Sequence, residues 1–279
     1  MMLDFVEPTI EGFKTRIYSC GNQSSTAVVF VHGNPGPSDD WHQSMKAVGE
    51  FSYAIAPDMP GFGFSDRSFQ FNVSVDGYAK HLNAVINFVK LERVHLVLHD
   101  FGGGWGLEWA ARNPDKVASI CVVNCGIFRN YSWHWIAKIW RTPMLGELFQ
   151  MTTTRYALQT ILNAQNPRAF PKEFIDRIWS HSDWAHRKTV LTLYRLTNPS
   201  DMEQQASLII ASLKGHNIPG LVIWGKDDPY LETHFSKLQQ EYMDCDIKLM
   251  DGCGHWPMID KPNEFKDILI PFLKNLRNR

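Results

Sequence analysis

Three residues with complementary chemistry lie near glycines in three separate segments: Asp100, Asp228 and His255. A carboxylate is already ionised at neutral pH, so Asp100 needs no base before it attacks a saturated carbon. The product is an alkyl ester, whose hydrolysis requires a base that activates water. His255 suits that role because the pKa of histidine lies near neutrality. Asp228 would hold the imidazole and stabilise its cation.

Two adjacent residues compete for places in this set. Asp227 directly precedes Asp228 and carries the same acid group, and its simpler interpretation is a solvated turn residue. His99 directly precedes Asp100, and we interpret it as a structural residue beneath the nucleophile. These residue types make Asp100, Asp228 and His255 candidates for one reacting set, and on residue type alone Asp227 stays open as the acid.

The elements that must position these residues appear as short apolar runs alternating with helical patterns. Six runs predict strands: Ala27–Val31, Tyr53–Ala56, Val94–Leu98, Ile120–Val123, Leu221–Trp224 and Ile247–Met250. Helices are predicted over Asp76–Lys90, Gly103–Arg112 and Pro262–Leu276. Gly12–Tyr18 is expected to add an antiparallel edge strand. This alternation predicts an α/β fold with a mostly parallel, doubly wound sheet and helices on both faces.

Polar or glycine-rich turns follow the strands of this predicted sheet. They are His32–Gly36, Asp58–Gly63, His99–Gly103, Asp227–Asp228 and Gly252–Trp256. In an open parallel sheet, ligands bind beyond the carboxyl ends of the strands. Each turn alone is explained by turn chemistry, but their convergence on one edge predicts a single site there.

The strand–helix alternation stops in one long stretch with helical spacing, interrupted by prolines. The stretch is too long for an ordinary loop. We therefore predict a helical cap at residues 129–208, inserted between core segments 1–128 and 209–279. Aromatic residues cluster between Phe128 and Trp184, and they are expected to line an apolar pocket.

The segment Leu98–Gly103 resembles the nucleophile elbow of the α/β-hydrolase family, a sharp strand-to-helix turn that exposes one side chain. Serine hydrolases carry serine at its centre, whereas this chain carries Asp100. The resemblance covers nearly the whole chain and is closest to the aspartate-nucleophile branch, the epoxide hydrolases and haloalkane dehalogenases. The chain order of nucleophile, acid and histidine agrees, and the family pattern favours Asp228 over Asp227.

The same resemblance implies an oxyanion hole for hydrolysis of the ester. Its two backbone N–H groups would belong to Phe101, just after the nucleophile, and Asn34, in the first turn. Relatives also carry a cis peptide bond at the position of Pro35.

Cap tyrosines favour an epoxide hydrolase, because such enzymes protonate the epoxide oxygen with one or two of them. Tyr194, followed by Arg195, stands close to where relatives carry a cap tyrosine. Tyr156 is the candidate for the other tyrosine, and Tyr131 is the fallback. The structural alternative for each is packing within a helix.

A haloalkane dehalogenase is the alternative, and it requires donors for the departing halide. Asn34 matches one such donor in type, but the ring of Phe101 has no N–H group. A cap tryptophan, Trp135 or Trp140, would have to substitute. Phe101 also replaces the arginine that fluoroacetate dehalogenases use, which argues against an acidic substrate. An ester or lactone hydrolase and a non-catalytic ligand-binding member also stay open.

Composition limits the partners of the protein. With 28 basic and 29 acidic residues, the chain gives no electrostatic reason to expect nucleic acid or an anionic membrane. The five cysteines lack paired spacing, and the start of the chain lacks a signal-peptide pattern, so we expect reduced thiols and a cytoplasmic location. No metal or cofactor is expected. The predicted partners are a small apolar substrate and water, in a monomer or homodimer.

Overall fold

The computed structural model describes residues 2–277. Ten strands form within this range: β1 Asp4–Val6, β2 Thr9–Ile10, β3 Phe13–Lys14, β4 Ile17–Cys20, β5 Thr26–Val31, β6 Tyr53–Pro57, β7 Arg93–His99, β8 Val117–Val123, β9 Pro219–Gly225 and β10 Asp244–Met250. Eight of them form one sheet in the order β1-β4-β6-β5-β7-β8-β9-β10, and β2 and β3 form a separate hairpin.

Twelve α-helices form within the same described range: α1 His42–Gly49, α2 Val75–Phe88, α3 Phe101–Arg112, α4 Trp135–Arg141, α5 Leu145–Thr152, α6 Arg155–Gln165, α7 Lys172–His181, α8 Trp184–Leu196, α9 Pro199–Leu213, α10 Phe235–Leu238, α11 Pro257–Asp260 and α12 Pro262–Arg277. Helices thus follow strands along most of the chain, except between β8 and β9, where six helices come in succession.

The sheet is parallel from β6 through β10 and antiparallel at the β1 and β4 edge. This arrangement confirms the predicted mostly parallel sheet. The antiparallel edge strand predicted over Gly12–Tyr18 is wrong in extent, because Phe13–Lys14 pairs with Thr9–Ile10 and only Ile17–Cys20 joins the main sheet. The turn at Glu11 and Gly12, both with positive φ, folds the chain back between β2 and β3, so that this segment forms a hairpin apart from the main sheet.

Two apolar cores lie on opposite faces of the sheet. Successive side chains of a strand point to opposite faces, so Val29 and Val31 of β5 pack in one core, and Val28 and Phe30 pack in the other. Helices α2, α3 and α9 cover the first core, and α1 and α12 cover the second. Burial on both faces explains why these strands are continuous apolar runs in the sequence.

The helices between β8 and β9 divide into two groups. Ala206, Ile209 and Leu213 of α9 are buried in the core that also contains α3, so α9 belongs to the layer that covers the sheet. The cap boundary predicted between residues 208 and 209 therefore falls inside α9, because the helical pattern runs unbroken from cap to core. We call α4 to α8 the cap helices.

No helix among residues 2–277 combines the length and the apolar character that crossing a membrane requires. The five cysteines are all buried and unpaired.

Candidate active site

The carboxylate of Asp100 is presented by a strained turn between β7 and α3. Its backbone has φ 51° and ψ −128°, a conformation that is costly for a residue with a side chain. Glycines make the turn fit: a Cβ on Gly33 would lie 2.3 Å from Oδ1 of Asp100, and a Cβ on Gly102 would lie 2.5 Å from the carbonyl oxygen of His32. The turn imposes this strained conformation and places the carboxylate at the carboxyl edge of the sheet.

Two further side chains complete a hydrogen-bonded chain with Asp100. Nε2 of His255 lies 3.2 Å from Oδ2 of Asp100, and Nδ1 lies 2.7 Å from Oδ2 of Asp228. The side chains of His255 and Asp228 are almost fully buried. Asp227 is exposed, and none of its side-chain atoms contacts the histidine. The structure therefore brings the three predicted residues together and places the competing aspartate outside.

Backbone groups anchor Asp228. Its Oδ1 accepts hydrogen bonds from the N–H groups of Tyr230 at 2.8 Å and Leu231 at 3.0 Å. Its other oxygen, Oδ2, forms the hydrogen bond with Nδ1 of His255. Because both oxygens have donors, the carboxylate keeps its orientation while the charge on the imidazole changes.

Asn124 also orients the acid, a role that was not predicted from the sequence. Its Nδ2 donates to Oδ2 of Asp228 at 2.6 Å, and its Oδ1 accepts from the N–H of Gly225 at 2.9 Å. It directly follows β8 and is fully buried with φ 43°. A polar residue directly after the predicted strand Ile120–Val123 was the signal that could have identified it.

His99 supports the histidine from below. Its Nε2 lies 2.8 Å from the carbonyl oxygen of His255, and burial lowers the pKa of His99 to about 3. The ring is therefore neutral and donates from Nε2. This contact fixes the backbone of His255, in agreement with the predicted structural role of His99.

The electrostatics favour an ion pair in the resting site. Burial by itself would lower the pKa of His255, but Asp228 and Asp100 together raise it to about 10. Burial would raise the pKa of Asp100, but the hydrogen bond and charge of His255 lower it overall. Asp100 is thus a carboxylate and His255 an imidazolium. Esterification of Asp100 would remove one negative charge and lower the pKa of His255, which prepares it to act as a base.

The two predicted oxyanion donors lie beside Asp100. The N–H of Asn34 donates to Oδ1 of Asp100 at 2.6 Å. The N–H of Phe101 begins α3, and a Cβ on Gly33 would come within 2.6 Å of its nitrogen. His32 holds this turn, since Nε2 accepts from the Met59 N–H and Nδ1 donates to the Gly33 carbonyl. The Asn34–Pro35 peptide bond is cis.

A cavity between the sheet edge and the cap helices contains both Asp100 and His255, with three tyrosines in its wall: Tyr131, Tyr194 and Tyr230. Tyr194, in α8, is 5% exposed, and its hydroxyl accepts a hydrogen bond from Nδ2 of Asn34 at 3.4 Å. Its ring lies 5.1 Å from the ring of Phe101. Burial raises the pKa of Tyr194 well above its ordinary value, so the phenol keeps its proton.

Two predicted substrate-binding residues lie outside this cavity. Tyr156 is 77% exposed and Trp135 is 52% exposed, and neither is in the cavity wall. For Tyr156 the reason is helical phase: Leu158, Ile161 and Leu162 are the residues of α6 that line the cavity, and Tyr156 points away from them. Placing these two residues at the site was therefore wrong, whereas the fallback Tyr131 does line the cavity.

The cavity wall is largely aromatic and aliphatic, and no lysine or arginine among the described residues lines it. Trp133 and Trp140 lie in this wall, but their indole N–H groups are buried and find no acceptor among residues 2–277. Such a wall suits an uncharged, mainly apolar ligand.

The fold and this constellation are those of a hydrolase. A profile of the alpha/beta hydrolase family matches residues 28–268, and the chain belongs to that family. The family predicted from the elbow segment is thereby confirmed. Among relatives, a monoacylglycerol lipase from Homo sapiens is 23% identical over 90% of this chain and 76% of the lipase. A cis-3-alkyl-4-alkyloxetan-2-one decarboxylase from Shewanella oneidensis is 26% identical over 94% of this chain and 88% of the relative.

Solved structures share the fold. A haloalkane dehalogenase from Bradyrhizobium elkani superposes with a TM-score of 0.86 over 99% of both chains, at 20% identity. The epoxide hydrolase CorEH superposes with a TM-score of 0.84 over 99% of this chain and 100% of its own, also at 20% identity. Identities this low establish the common architecture and leave the reaction to be argued from the site.

Proposed function

We propose that the protein is an epoxide hydrolase that opens small apolar epoxides through an alkyl ester on Asp100. The observation that carries this proposal is the meeting of three groups in one cavity. The carboxylate of Asp100 lies 3.2 Å from His255, and the protonated hydroxyl of Tyr194 is bonded to the side chain of Asn34, whose backbone N–H holds that carboxylate. A nucleophile, a base and an acid are the groups that the reaction requires.

In the first step, a carboxylate oxygen of Asp100 attacks a ring carbon, and the carbon–oxygen bond of the epoxide breaks. Tyr194 donates its proton to the oxygen that leaves the carbon. The product is a hydroxyalkyl ester, and the phenolate of Tyr194 recovers a proton from the imidazolium of His255 through the cavity. That transfer leaves His255 neutral, as the second step requires.

In the second step, His255 takes a proton from water, and the hydroxide attacks the ester carbonyl carbon of Asp100. The N–H groups of Asn34 and Phe101 stabilise the oxyanion. Collapse expels the diol oxygen, which takes the proton of the new carboxyl group. The site returns to a carboxylate and an imidazolium, and one epoxide and one water have become one diol.

A haloalkane dehalogenase is the second candidate, because the backbone N–H of Asn34 contacts Asp100 and its Nδ2 makes only one long hydrogen bond, to the hydroxyl of Tyr194. It ranks second because Phe101 offers no side-chain donor, and the indole N–H groups of Trp133 and Trp140 are buried. The oxetanone relative adds a strained four-membered ring to the substrates worth testing.

The test is a turnover assay of the purified protein on styrene oxide, 1-bromobutane and a β-lactone. Formation of diol without bromide supports the proposal, and release of bromide alone replaces it with the dehalogenase. Consumption of the lactone alone indicates an ester or lactone hydrolase instead. Asp100→Asn is the matched control, and it should abolish each reaction.

A companion experiment traps the intermediate. In His255→Gln, attack proceeds but ester hydrolysis stalls, so intact-mass spectrometry should detect one adduct with the mass of the epoxide. Peptide mapping should place it on Asp100. Absence of an adduct, with an epoxide that the wild type hydrolyses, contradicts the covalent route.

A further inference from the structure

His134 caps the first cap helix and also lines the reaction cavity. It is the N-cap residue of α4, and its Nδ1 accepts a hydrogen bond from the N–H of Ala137 at 3.3 Å. Its ring belongs to the wall of the cavity that contains Asp100. Histidine is not among the residues that usually cap helices, so capping alone does not explain why a histidine is present at this position.

The capping contact determines which ring nitrogen carries the proton. A nitrogen that accepts from a backbone N–H has no proton of its own, so the proton of the neutral ring is on Nε2. Burial lowers the pKa of His134 to about 4, and the ring is therefore neutral at neutral pH. Nε2–H is a donor of fixed position on the side of the ring opposite Ala137.

The ring of Tyr230 lies next to both His134 and the reacting His255. The His134 ring is 4.7 Å from that of Tyr230, which is itself 5.2 Å from His255. It is 6.1 Å from the ring of Tyr194, the proposed acid. No acceptor for Nε2–H occurs among residues 2–277, so a ligand or water must supply one.

We propose that His134 is a specificity residue whose Nε2–H donates a hydrogen bond to a neutral oxygen of the substrate, close to the reacting ring. The inference deepens the epoxide hydrolase proposal and rests on it for the identity of that ring. The oxygen is an ether or carbonyl oxygen and not a carboxylate, because no lysine or arginine lines the described cavity and the imidazolium of His255 is already paired with Asp100 and Asp228. The substrate class is then the glycidyl ethers and glycidyl esters.

The competing explanation is that His134 only caps α4. Two variants separate the roles. Serine caps a helix well but is too short to replace the imidazole donor, so His134→Ser keeps the cap and removes the donor. His134→Phe removes both. Circular dichroism and thermal unfolding report whether the helix and the fold survive.

The turnover test uses two substrates of equal shape, phenyl glycidyl ether and 4-phenyl-1,2-epoxybutane, in which a methylene replaces the ether oxygen. The kcat/KM for the ether, divided by the kcat/KM for its methylene analogue, should fall about tenfold in His134→Ser, which corresponds to the loss of one hydrogen bond. His134→Phe should show the same fall in the ratio. An unchanged ratio in His134→Ser overturns the inference and leaves the epoxide hydrolase proposal in place.

A binding test does not depend on turnover. Tryptophan fluorescence measures Kd for phenyl propyl ether and for butylbenzene, which contain no reactive ring. The Kd for the ether, divided by the Kd for butylbenzene, should be about tenfold higher in His134→Ser than in the wild type. If the wild type hydrolyses neither epoxide, the proposed function fails, and this ratio still decides the role of His134: an unchanged ratio overturns it.

Discussion

The two walls of the cavity differ in whether their polar groups have hydrogen-bond partners within the protein. At the sheet edge, Asp228 receives hydrogen bonds from four donors, the side chains of His255 and Asn124 and the backbone of Tyr230 and Leu231. On the cap side, the hydroxyl of Tyr131 has no hydrogen-bond partner within residues 2–277, and neither does Nε2 of His134. Both oxygens of Asp228 thus have donors within the protein, whereas these two cap-side groups are left for a ligand.

The difference follows from what each wall does. In the proposed reaction, charge moves through Asp100 and His255, so their surroundings must already be oriented when the reaction occurs. The cap carries no charge in the cavity wall and offers neutral donors. In the proposed reaction, its part is to hold and protonate the substrate. The following changes test that division, from the largest expected effect to the smallest.

Removing the charge of the nucleophile should have the largest effect. Asp100→Asn keeps the size of the side chain but supplies a poor nucleophile, so kcat should fall by about 10⁴-fold or more. The measurement is initial-rate turnover of the epoxide. Unchanged circular dichroism is the control for folding. Turnover above one-hundredth of the wild-type rate, without deamidation in the intact mass, would contradict the assignment of the nucleophile.

Removing the acid from the cap should have a smaller effect that is confined to the first step. Tyr194→Phe should lower kcat about 10²-fold, because a general acid contributes on that order. In a His255→Gln background, the adduct should appear more slowly by the same factor. If Tyr131→Phe slows the adduct and Tyr194→Phe does not, the two tyrosines exchange roles.

The ionisation of the histidine should respond to its neighbour at the sheet edge. In Asp100→Asn the pKa of His255 should fall from about 10 toward its ordinary value, since one negative charge is lost. Nitrogen NMR of labelled histidine measures it.

The same pKa shift affects stability. Because the folded pKa exceeds the unfolded value of 6.5, the stabilisation is complete below about pH 6.5 and is lost as the pH rises toward 10. The wild-type Tm should therefore decrease across that interval, and the decrease should be smaller in Asp100→Asn. Equal pH dependence in both proteins would show that the two residues are not paired.

The smallest effect is expected on the outer face of the cap. Tyr156→Phe removes the same hydroxyl as Tyr194→Phe but from an exposed residue, so kcat and KM should stay within about twofold of the wild type. It is the matched control for the acid. A loss of activity comparable to that of Tyr194→Phe would mean that the cap rearranges when substrate binds.

Much of the sheet edge was predictable because the chemistry there follows local pattern. The apolar runs that became β5, β7 and β9 are buried on both faces, and a residue at the end of such a strand must lie at the same edge as its neighbours. Asp100, Asp228 and His255 were expected together for that reason, and the structure places them within hydrogen-bond distance of one another.

The cap was less predictable because a helix shows several faces and sequence spacing does not say which one meets the core. The sequence favoured Tyr156 over the fallback Tyr131, but the packing of α6 turns Tyr156 outward, and Tyr131 lines the cavity. The double use of His134, as a helix cap and a cavity donor, depends on where α4 begins relative to β7 and α3.

By itself, then, the sequence determined the α/β fold, the charged groups at the ends of its strands and the aspartate at the elbow. The tertiary structure alone decided that Asn124 holds Asp228 and that Tyr194 and His134 face the cavity. The physical reason is the range of the interactions: strand ends are brought together by the regular geometry of a parallel sheet, whereas side chains on packed helices meet through contacts between residues far apart in the chain.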